Sequence, residues 1–401
     1  MTIAAIIAEF NPFHNGHKLL IDEVRRQTGA DSIIALMSGD YVQRGVPAVT
    51  NRQVRAEMAL LNGVDVVLSY PTRYATASAE SFAAHAVRLI SRLNCVDILA
   101  FGSECGDSER LASAAAVLAE ESDDYRERLR EGLRAGLSFP KARAEALPAY
   151  ADILDGPNNI LGIEYIKAIM REKSSLRPFT IARQGSSHLD DTSVHALSSA
   201  AAVRRALASG HRIPGLEQAL PANAFRILLD DIGRYGLTSE NDFSLLLADR
   251  IWRLDSAHIL KLFADVNHDL AQAILKKRVH FRDFADFADR LKNKSLTRTH
   301  INRALLHLVL DIRKETEESD NLYAHVLGFR KESEALLGVI KDNCSLPFVT
   351  GQAKARELLT GEAQKLFLEE VRVSNLYETV RARKAREEMR SVLSEPIIVV
   401  D

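Results

Sequence analysis

The sequence predicts an α/β protein, in which a doubly wound, parallel-sheet domain of Rossmann-like type is followed by a mostly α-helical domain. Three observations predict this fold. Short apolar runs alternate with helical patterns in the first half, polar segments follow the ends of those runs, and only helical patterns recur after about residue 215. We therefore expect an α/β domain over residues 1–210 and a helical domain over residues 215–401.

The predicted strands are continuous apolar runs, which indicate strands buried on both faces of a parallel sheet. They cover residues 2–8, 32–37, 64–68, 96–101 and 179–183. The predicted helices between the first four strands and after the fourth cover roughly residues 16–28, 52–62, 79–93 and 108–135. Ligands of such sheets bind at the carboxyl ends of the strands, so the segments that follow each strand are the place to look for a site.

Composition limits the possible functions. At 401 residues the chain has room for about two or three domains. Its net charge of −2 excludes a protein that binds nucleic acid over its whole surface, so any RNA site must be a local patch. Three cysteines without a CxxC pair indicate a reducing compartment. There is no apolar leader and no membrane-spanning run, so we expect a cytoplasmic protein.

The clearest chemistry lies in His14-Asn15-Gly16-His17, between the first strand and the first helix. Two histidines three apart on a turn that opens a helix can face one anion, beside the free N–H groups and positive dipole of that helix. Gly16 keeps the backbone bare where a phosphate approaches. This pattern is typical of sites that stabilise charge on an α-phosphate under attack. A metal pair or two surface histidines are the alternatives, and no further His or Cys lies nearby to complete a zinc site.

A second segment with phosphate-binding residue types lies at 198–204. Ser198 and Ser199 precede a predicted helix, and Arg204 follows one turn later. Hydroxyls and N–H groups at a helix start can hold the β- and γ-phosphates of a nucleotide, and the arginine adds positive charge. The structural alternative is an ordinary helix N-cap with a solvated arginine.

Polar loops after the other strands supply further candidates. Asp40, Gln43 and Arg44 follow the second strand, on a loop that closes over a nucleotide, contacts a second substrate, or is simply solvated. Weaker candidates for a magnesium, substrate or acid–base role are Glu80, Glu104 and His188 with Asp190 or Asp191. Phe10, Tyr41 and Tyr70 either line a small acid pocket or belong to the core.

These motifs resemble a known family. The string HNGH is similar to the HIGH motif of the nucleotidyltransferase superfamily, and 198–204 resembles its second motif. The wider blocks AEFNPFHNGH, SGDYVQRGVPA, SYPTRYATASAESFA, FGSECGD, PNNILGIEYIKA and SSAAAVRRAL resemble the bacterial tRNA(Met) cytidine acetate ligases. The resemblance covers at least residues 1–210 in collinear order. In the family pattern a threonine stands where this chain has Ala201.

The resemblance implies an ATP site and two catalytic residues, His14 and His17. It implies that one of Asn158 and Asn159 contacts ATP, and that Gly102 belongs to the same site. The ATP-binding residues implied are Ile7, Ala8, Glu9, Phe10, Asn11, Pro12, Phe13, Asn15, Gly16, Lys18, Leu19, Leu20, Gly102, Asn158, Asn159, Arg183, Gln184, Ser198, Ser199 and Arg204.

The resemblance also implies the reaction. An ATP-dependent ligase of this family activates acetate as acetyl-adenylate and transfers the acetyl group to the exocyclic amine of the wobble cytidine of elongator tRNA(Met). The substrates implied are ATP with Mg²⁺, acetate and tRNA, without an obligate protein partner. One alternative is an adenylyltransferase for a small phosphorylated metabolite, which does not need the helical half. Another is a nucleotide-sensing or RNA-binding protein with a relict site, which the intact His14, Gly16 and His17 disfavour.

The helical half contains a basic segment that we predict to bind tRNA. Residues 271–314 carry eleven Lys and Arg against four Asp and Glu, in a chain whose net charge is −2. Basic patches supply salt-dependent affinity for RNA phosphates, although a charge run is usually a solvated helix face. The predicted tRNA-binding residues are Lys276, Lys277, Arg278, Lys292, Lys294, Arg298 and Arg303. Residues 371–390, with six basic and three acidic residues on a predicted long helix, are a weaker second candidate.

Overall fold

The structure is a computed structural model that describes residues 1–137, 139–183, 196–209, 215–293, 296–314 and 321–401. Gln184, Lys294 and the set of His188, Asp190 and Asp191 lie outside the described residues. Within the described part, no helix is long and apolar enough to cross a membrane.

A mixed sheet that is mainly parallel forms the centre of the molecule. The strands are β1 (Ile3–Ala8), β2 (Ser32–Ser38), β3 (Tyr41–Val42), β4 (Val46–Pro47), β5 (Val66–Tyr70), β6 (Ile98–Ser103), β7 (Arg177–Ala182), β8 (Ala324–Arg330), β9 (Phe348–Val349) and β10 (Ile398–Val400). The main sheet has the order β10-β8-β5-β2-β1-β6-β7, with β9 beside β8. The five neighbouring strands β5, β2, β1, β6 and β7 are parallel to one another, and β8 runs antiparallel to β5. Strands β3 and β4 form a separate antiparallel hairpin.

Helices connect and cover these strands. Those of the first half are α1 (Asn15–Thr28), α2 (Arg52–Leu60), α3 (Thr72–Ala75), α4 (Ala79–Ser91), α5 (Ser108–Glu120), α6 (Asp123–Arg134), α7 (Phe139–Ala146), α8 (Ala151–Leu154), α9 (Pro157–Arg171) and α10 (Ala200–Ala208). Those of the second half are α11 (Leu216–Ala219), α12 (Ala222–Tyr235), α13 (Ser244–Arg253), α14 (Ala257–Leu260), α15 (His268–Lys277), α16 (Phe284–Leu291), α17 (Arg298–Leu310), α18 (Glu334–Asn343), α19 (Gln352–Leu358) and α20 (Gly361–Ala385). Short 3₁₀ helices cover Pro148–Tyr150, Glu240–Phe243, Arg278–His280, Lys331–Ser333 and Val392–Ser394.

The sheet separates two hydrophobic cores, because successive side chains of a strand point to opposite faces. On one face, Ala5 of β1 and Leu36 of β2 pack in a cluster with α4, α5 and α9. On the other face, Ile6 of β1 and Ala35 of β2 pack with α1, α2, α10 and α12. Burying one such Leu or Ile side chain contributes about 1.5–3 kcal/mol. The prediction of a parallel sheet covered on both faces is confirmed.

A third core lies in the helical half. Side chains of α13, α15, α16 and α17 form most of it, and Tyr377 of α20 joins them. Tyr41 of the β3–β4 hairpin also belongs to this cluster, so the hairpin links the sheet to the helical half.

The sequence prediction was wrong in three details of the elements. The expectation of helices alone after residue 215 missed β8, β9 and β10, because an apolar run between helices does not reveal a pairing partner as distant in sequence as β5. The long helix predicted to carry residues 371–390 covers Gly361–Ala385, so it begins and ends earlier in the chain than expected. The helix expected over 108–135 is two helices, since Glu121 adopts a left-handed φ of 43° and Ser122 caps the second. The division into domains 1–210 and 215–401 stays a prediction, although β8 of the second half pairs with β5 of the first.

Candidate active site

The described residues of the HNGH segment, together with Gly102, Arg183 and Arg204, lie near the place where the order of the parallel strands reverses. From β1 the chain proceeds to β2 and β5 on one side, and later to β6 and β7 on the other. In open α/β sheets ligands bind in the crevice at such a switch point, outside the carboxyl ends of the strands. The HNGH segment follows β1 here, and Gly102 lies at the end of β6.

His14 and His17 form a reciprocal cap at the start of α1. The Nδ1 atom of His14 accepts a hydrogen bond from the backbone N–H of Gly16 at 3.0 Å. The Nδ1 atom of His17 accepts one from the backbone N–H of His14 at 3.2 Å. The two imidazole centroids are 3.8 Å apart. This is a capping box in which histidines replace the usual Ser and Glu, and it fixes both rings by bonds within three residues.

The same bonds determine where each imidazole carries its proton. A neutral imidazole has one N–H donor and one acceptor nitrogen, and Nδ1 is the acceptor in both rings. Burial lowers the pKa of His14 to about 3, with Arg183 and Arg204 lowering it further by their charge. Burial, the neighbouring His14 and Arg183 also hold the pKa of His17 well below its usual value. Both histidines are therefore neutral near neutral pH and offer Nε2–H as a hydrogen-bond donor.

The packing of the His14 ring gives a second reason for a glycine at position 16, besides the approach of a phosphate. A Cβ atom at this position would lie 2.8 Å from Cε1 of His14, so a side chain would displace the imidazole.

Phe10 packs against His17 edge-on, with centroids 5.0 Å apart, and adopts a left-handed φ of 45°. A residue other than glycine in that region costs about 1–3 kcal/mol and is typical of functional sites.

The second motif docks directly on the first. The guanidinium of Arg204 donates to the carbonyl oxygen of Asn11 at 2.7 Å. The side chain of Asn15 donates to the carbonyl oxygens of Ala196 at 3.1 Å and Gln218 at 2.7 Å. Ser199 caps α10 by accepting the N–H of Ala202 at 3.3 Å, and Ser198 beside it is buried. The structure thus brings the two predicted phosphate segments together.

A third group of predicted residues lies across the crevice, between β6, β7 and α9. A Cβ atom on Gly102 would lie 3.3 Å from Cγ of Arg183, and Arg183 donates to the side chain of Asn158 at 3.3 Å. The side-chain oxygen of Asn159 accepts the N–H groups of Glu104 at 2.9 Å and Cys105 at 3.1 Å. Asn159 is buried and positions the end of β6, whereas Asn158 is half-buried beside Arg183. The two asparagines therefore differ in their surroundings, and a contact of either with ATP stays a prediction.

Two carboxylates considered for magnesium have structural partners instead. Glu104 accepts the N–H groups of Asn158 at 3.1 Å and Asn159 at 2.7 Å, so it caps the start of α9. Glu80 forms an ion pair with Arg171 at 2.8 Å and approaches Lys167 at 3.6 Å. Neither carboxylate faces the HNGH segment in these contacts.

The aromatic candidates for an acid pocket belong to the core. Tyr70 donates its hydroxyl to the carbonyl oxygen of Phe82 at 2.7 Å, and Tyr41 donates to that of Val373 at 3.2 Å. Both rings are fully buried, and Phe10 is 1% exposed. Of the two alternatives, these contacts favour the core for Tyr41 and Tyr70, since neither hydroxyl is available for a substrate.

Sequence reasoning missed Arg55, a buried residue of α2 that connects the loops beside the site. Its guanidinium is fully buried and donates to four backbone carbonyls, those of Glu9 at 2.6 Å, Ser38 at 3.2 Å, Thr50 at 3.1 Å and Gly39. It thereby fixes the loops after β1 and β2 relative to each other. The available signal was its helical spacing from the apolar residues of α2, which places a charge on the buried face.

Of the predicted tRNA-binding residues that the structure describes, two have exposed side chains and four have partners within the protein. Lys276 and Lys292 are exposed. Lys277 donates to the carbonyl oxygen of Arg290, Arg278 donates to that of Ile251 at 3.1 Å, and Arg298 pairs with Asp289. The prediction of Arg303 as a free basic side chain is wrong, because it is 9% exposed and its Nε donates to Asp265 at 3.0 Å. The remaining residues stay predictions.

Comparison with known proteins identifies the family of this site. A family model described as HIGH Nucleotidyl Transferase matches residues 1–391. The chain is 36% identical to tRNA(Met) cytidine acetate ligase of Caldanaerobacter subterraneus subsp. tengcongensis, over 94% of this chain and 95% of the relative. It is 34% identical to the ligase of the same name of Halothermothrix orenii, over 87% of both chains.

Solved structures agree with these sequence relatives. The crystal structure of Thermotoga maritima TmcAL bound with alpha-thio ATP superposes with a TM-score of 0.89 at 30% identity, over the full length of both chains. The apo form of the same protein gives a TM-score of 0.90. The predicted fold class is confirmed by this likeness.

Proposed function

The chain belongs to the tRNA(Met) cytidine acetate ligases within the HIGH nucleotidyl transferases, and we propose that it acetylates the wobble cytidine of elongator tRNA(Met) with acetate and ATP. The reaction has two steps. Acetate attacks the α-phosphate of ATP and releases pyrophosphate. The exocyclic amine of the cytidine then attacks the acetyl carbon, the bond from that carbon to the AMP oxygen breaks, and the amine loses one proton, which ends in solvent. Because tRNA is its substrate, we place the enzyme in the cytoplasm.

The first step needs charge stabilisation more than proton transfer. Acetate is already ionised near neutral pH, so no side chain has to act as a general base. The two neutral imidazoles present Nε2–H donors to the α-phosphate oxygens, at the positive end of α1. Donors that are fixed before the reaction starts stabilise the developing charge without reorganising.

The remaining positive charge comes from arginines on both sides of the crevice. Arg204 donates to the carbonyl oxygen of Asn11, three residues before the HNGH segment, and Ser198 and Ser199 lie at the start of its helix. We assign these three residues to the leaving pyrophosphate. Arg183, beside Gly102 and Asn158, is placed to orient the nucleotide.

Magnesium fits this site only as a companion of ATP. Among the residues that the structure describes, no three His, Cys, Asp or Glu side chains converge to hold a metal ion. Mg²⁺ commonly keeps several waters and binds through substrate phosphates. We therefore propose that the phosphates of ATP carry the ion, where it neutralises their charge.

The single observation that carries the proposal is the reciprocal His14–His17 cap at the switch point, with Arg204 bonded to Asn11 just before it in sequence. The test is acetate-dependent exchange of labelled pyrophosphate into ATP, with purified protein and without tRNA. We expect exchange in the wild type and a loss of about 10²–10³-fold in His17→Ala, the usual effect of removing one such donor. His258→Ala, which removes an exposed histidine from α14, is the matched control and should exchange normally.

Two outcomes would contradict the proposal. Absence of acetate-dependent exchange in the folded wild type would remove the acetyl-adenylate step. Exchange without transfer of labelled acetate to tRNA(Met) would remove the RNA acceptor and leave activation of a carboxylate alone.

A further inference from the structure

The β3–β4 hairpin covers residues 41–47, and its tip lies between the nucleotide site and the helical half. Its turn consists of Gln43, Arg44 and Gly45, and the N–H of Gly45 donates to the carbonyl oxygen of Val42 at 2.9 Å. Gly45 has a left-handed φ of 71°, which glycine adopts without strain. A turn of this kind holds its central residue at a defined place above the two strands.

Three contacts fix this tip. On the nucleotide side, the N–H of Gln43 donates to the carboxylate of Glu9 at 2.9 Å, directly after β1. On the helical side, Gly45 lies against α17 so closely that a Cβ atom would be 2.2 Å from the backbone nitrogen of Arg303. At the base, the hydroxyl of Tyr41 bonds Val373 of α20. The tip is therefore a fixed bridge between the two halves, and the prediction of a loop that closes over the nucleotide loses its support.

Arg44 at this tip has an exposed side chain without a partner among the described residues. The neighbouring arginines differ in this respect. Arg183 donates to Asn158, Arg204 donates to Asn11, and Arg303 is paired with Asp265.

The guanidinium of Arg44 is close enough to the site to influence it. The pKa of Arg204 is lowered chiefly by burial, and the positive charge of Arg44 lowers it further against the opposing effect of Glu9. Arg44 therefore adds positive potential at the edge of the crevice that faces the helical half. The phosphates of ATP already have His14, His17, Arg183 and Arg204 as partners in the proposed reaction, so Arg44 remains for a second anion.

We infer that Arg44 is a positioning residue for the RNA. The guanidinium of Arg44 binds a phosphodiester next to the target cytidine, and this contact holds the exocyclic amine of the cytidine against the acetyl-adenylate. This inference rests on the proposed function. A planar guanidinium matches a phosphate with two parallel hydrogen bonds, which a lysine cannot reproduce. The fixed tip means that the contact is made without a loop having to close.

The experiment compares the two half-reactions in wild type, Arg44→Ala and Arg44→Lys. Steady-state acetylation of tRNA(Met) gives kcat and KM, and pyrophosphate exchange without tRNA reports on the first step alone. In Arg44→Ala we expect the KM for tRNA to rise about ten- to a hundredfold, the effect of losing a charge-assisted hydrogen bond. The slope of log KM against log salt should fall by about 0.7–0.9, since one phosphate contact is gone. Exchange should stay within about twofold of the wild type.

Arg44→Lys should recover the salt slope but only part of the affinity, because it keeps the charge and loses the fork. The matched control is Arg26→Ala, which removes an exposed arginine from the far end of α1 and should change neither reaction. An unchanged KM and salt slope in Arg44→Ala would overturn the inference, and so would a parallel fall in exchange, which would assign Arg44 to ATP. Failure of exchange in the wild type would instead overturn the proposed function.

Discussion

The cap formed by His14 and His17 consists of bonds that are close by in sequence, whereas two buried arginines of the helical half, Arg303 and Arg381, find carboxylate partners far along the chain. His14 and His17 are capped by backbone groups two and three residues away. Arg303 meets Asp265 across 38 residues, and Arg381 meets Asp231 across 150. The imidazole cap keeps its geometry with its short segment, while an ion pair between distant residues depends on the whole fold.

Breaking the ion pair between Asp265 and Arg303 should cause the largest loss of stability. In Asp265→Ala, Arg303 loses its partner while it stays buried, and we expect the free energy of unfolding to fall by about 3–5 kcal/mol. Arg253→Ala breaks the pair with Asp249, whose side chains are 73% and 58% exposed, and serves as the matched control. It should leave the midpoint of unfolding unchanged. Urea denaturation of both variants measures the difference, and equal stabilities would show that the helical half does not depend on this pair.

A smaller change, the addition of one methyl group, should be enough to disrupt the cap formed by His14 and His17. In Gly16→Ala the new Cβ meets the ring of His14, so the imidazole must shift. We expect pyrophosphate exchange to fall about tenfold or more, while overpacking lowers the unfolding free energy by about 1–3 kcal/mol. Gly338→Ala on α18 has open space around its Cβ and should gain about 0.4–1 kcal/mol without affecting exchange. Normal exchange in Gly16→Ala would show that the His14 geometry is not required.

The same contrast explains what the sequence could predict. The His14–His17 cap was predictable because its bonds, its strand and its helix lie within one short segment. Glu104 suggested magnesium only because Asn158, its actual partner, lies 54 residues away. Arg303 counted as free positive charge for the same reason, since composition does not show that Asp265 neutralises it. Strand β8 was missed because its pairing with β5 is a tertiary contact that no local pattern specifies.

Buried histidines should make stability depend on pH in both regions alike. Burial lowers the pKa of His14 to about 3, of His325 to about 3 and of His307 to about 4, against an unfolded value of about 6.5. As the pH falls through 6.5 the unfolded chain takes up protons that the folded chain refuses. The stabilisation is therefore complete above about pH 6.5 and is lost progressively toward about pH 3–4.

Each such histidine contributes a slope of up to about 1.4 kcal/mol per pH unit in that window. His325→Gln, remote from the site, should lower the measured slope by up to this amount between about pH 6 and pH 5. Because both site histidines stay neutral, exchange should show no histidine inflection from about pH 8 to about pH 6. An inflection near pH 6.5 that disappears in His17→Ala would contradict the neutral imidazole pair.

The smallest effects are expected from the exposed lysines of the helical half, Lys276 and Lys292. They remain candidates for RNA because their side chains are exposed, unlike that of Arg303. Replacing either with alanine should raise the KM for tRNA by about two- to fivefold, the range for a screened surface charge, and leave pyrophosphate exchange unchanged. Lys341→Ala on α18, also exposed, is the matched control. If the lysine variants match this control in KM and in salt dependence, the basic segment is a solvated face, and the RNA contacts of the helical half must lie on another surface.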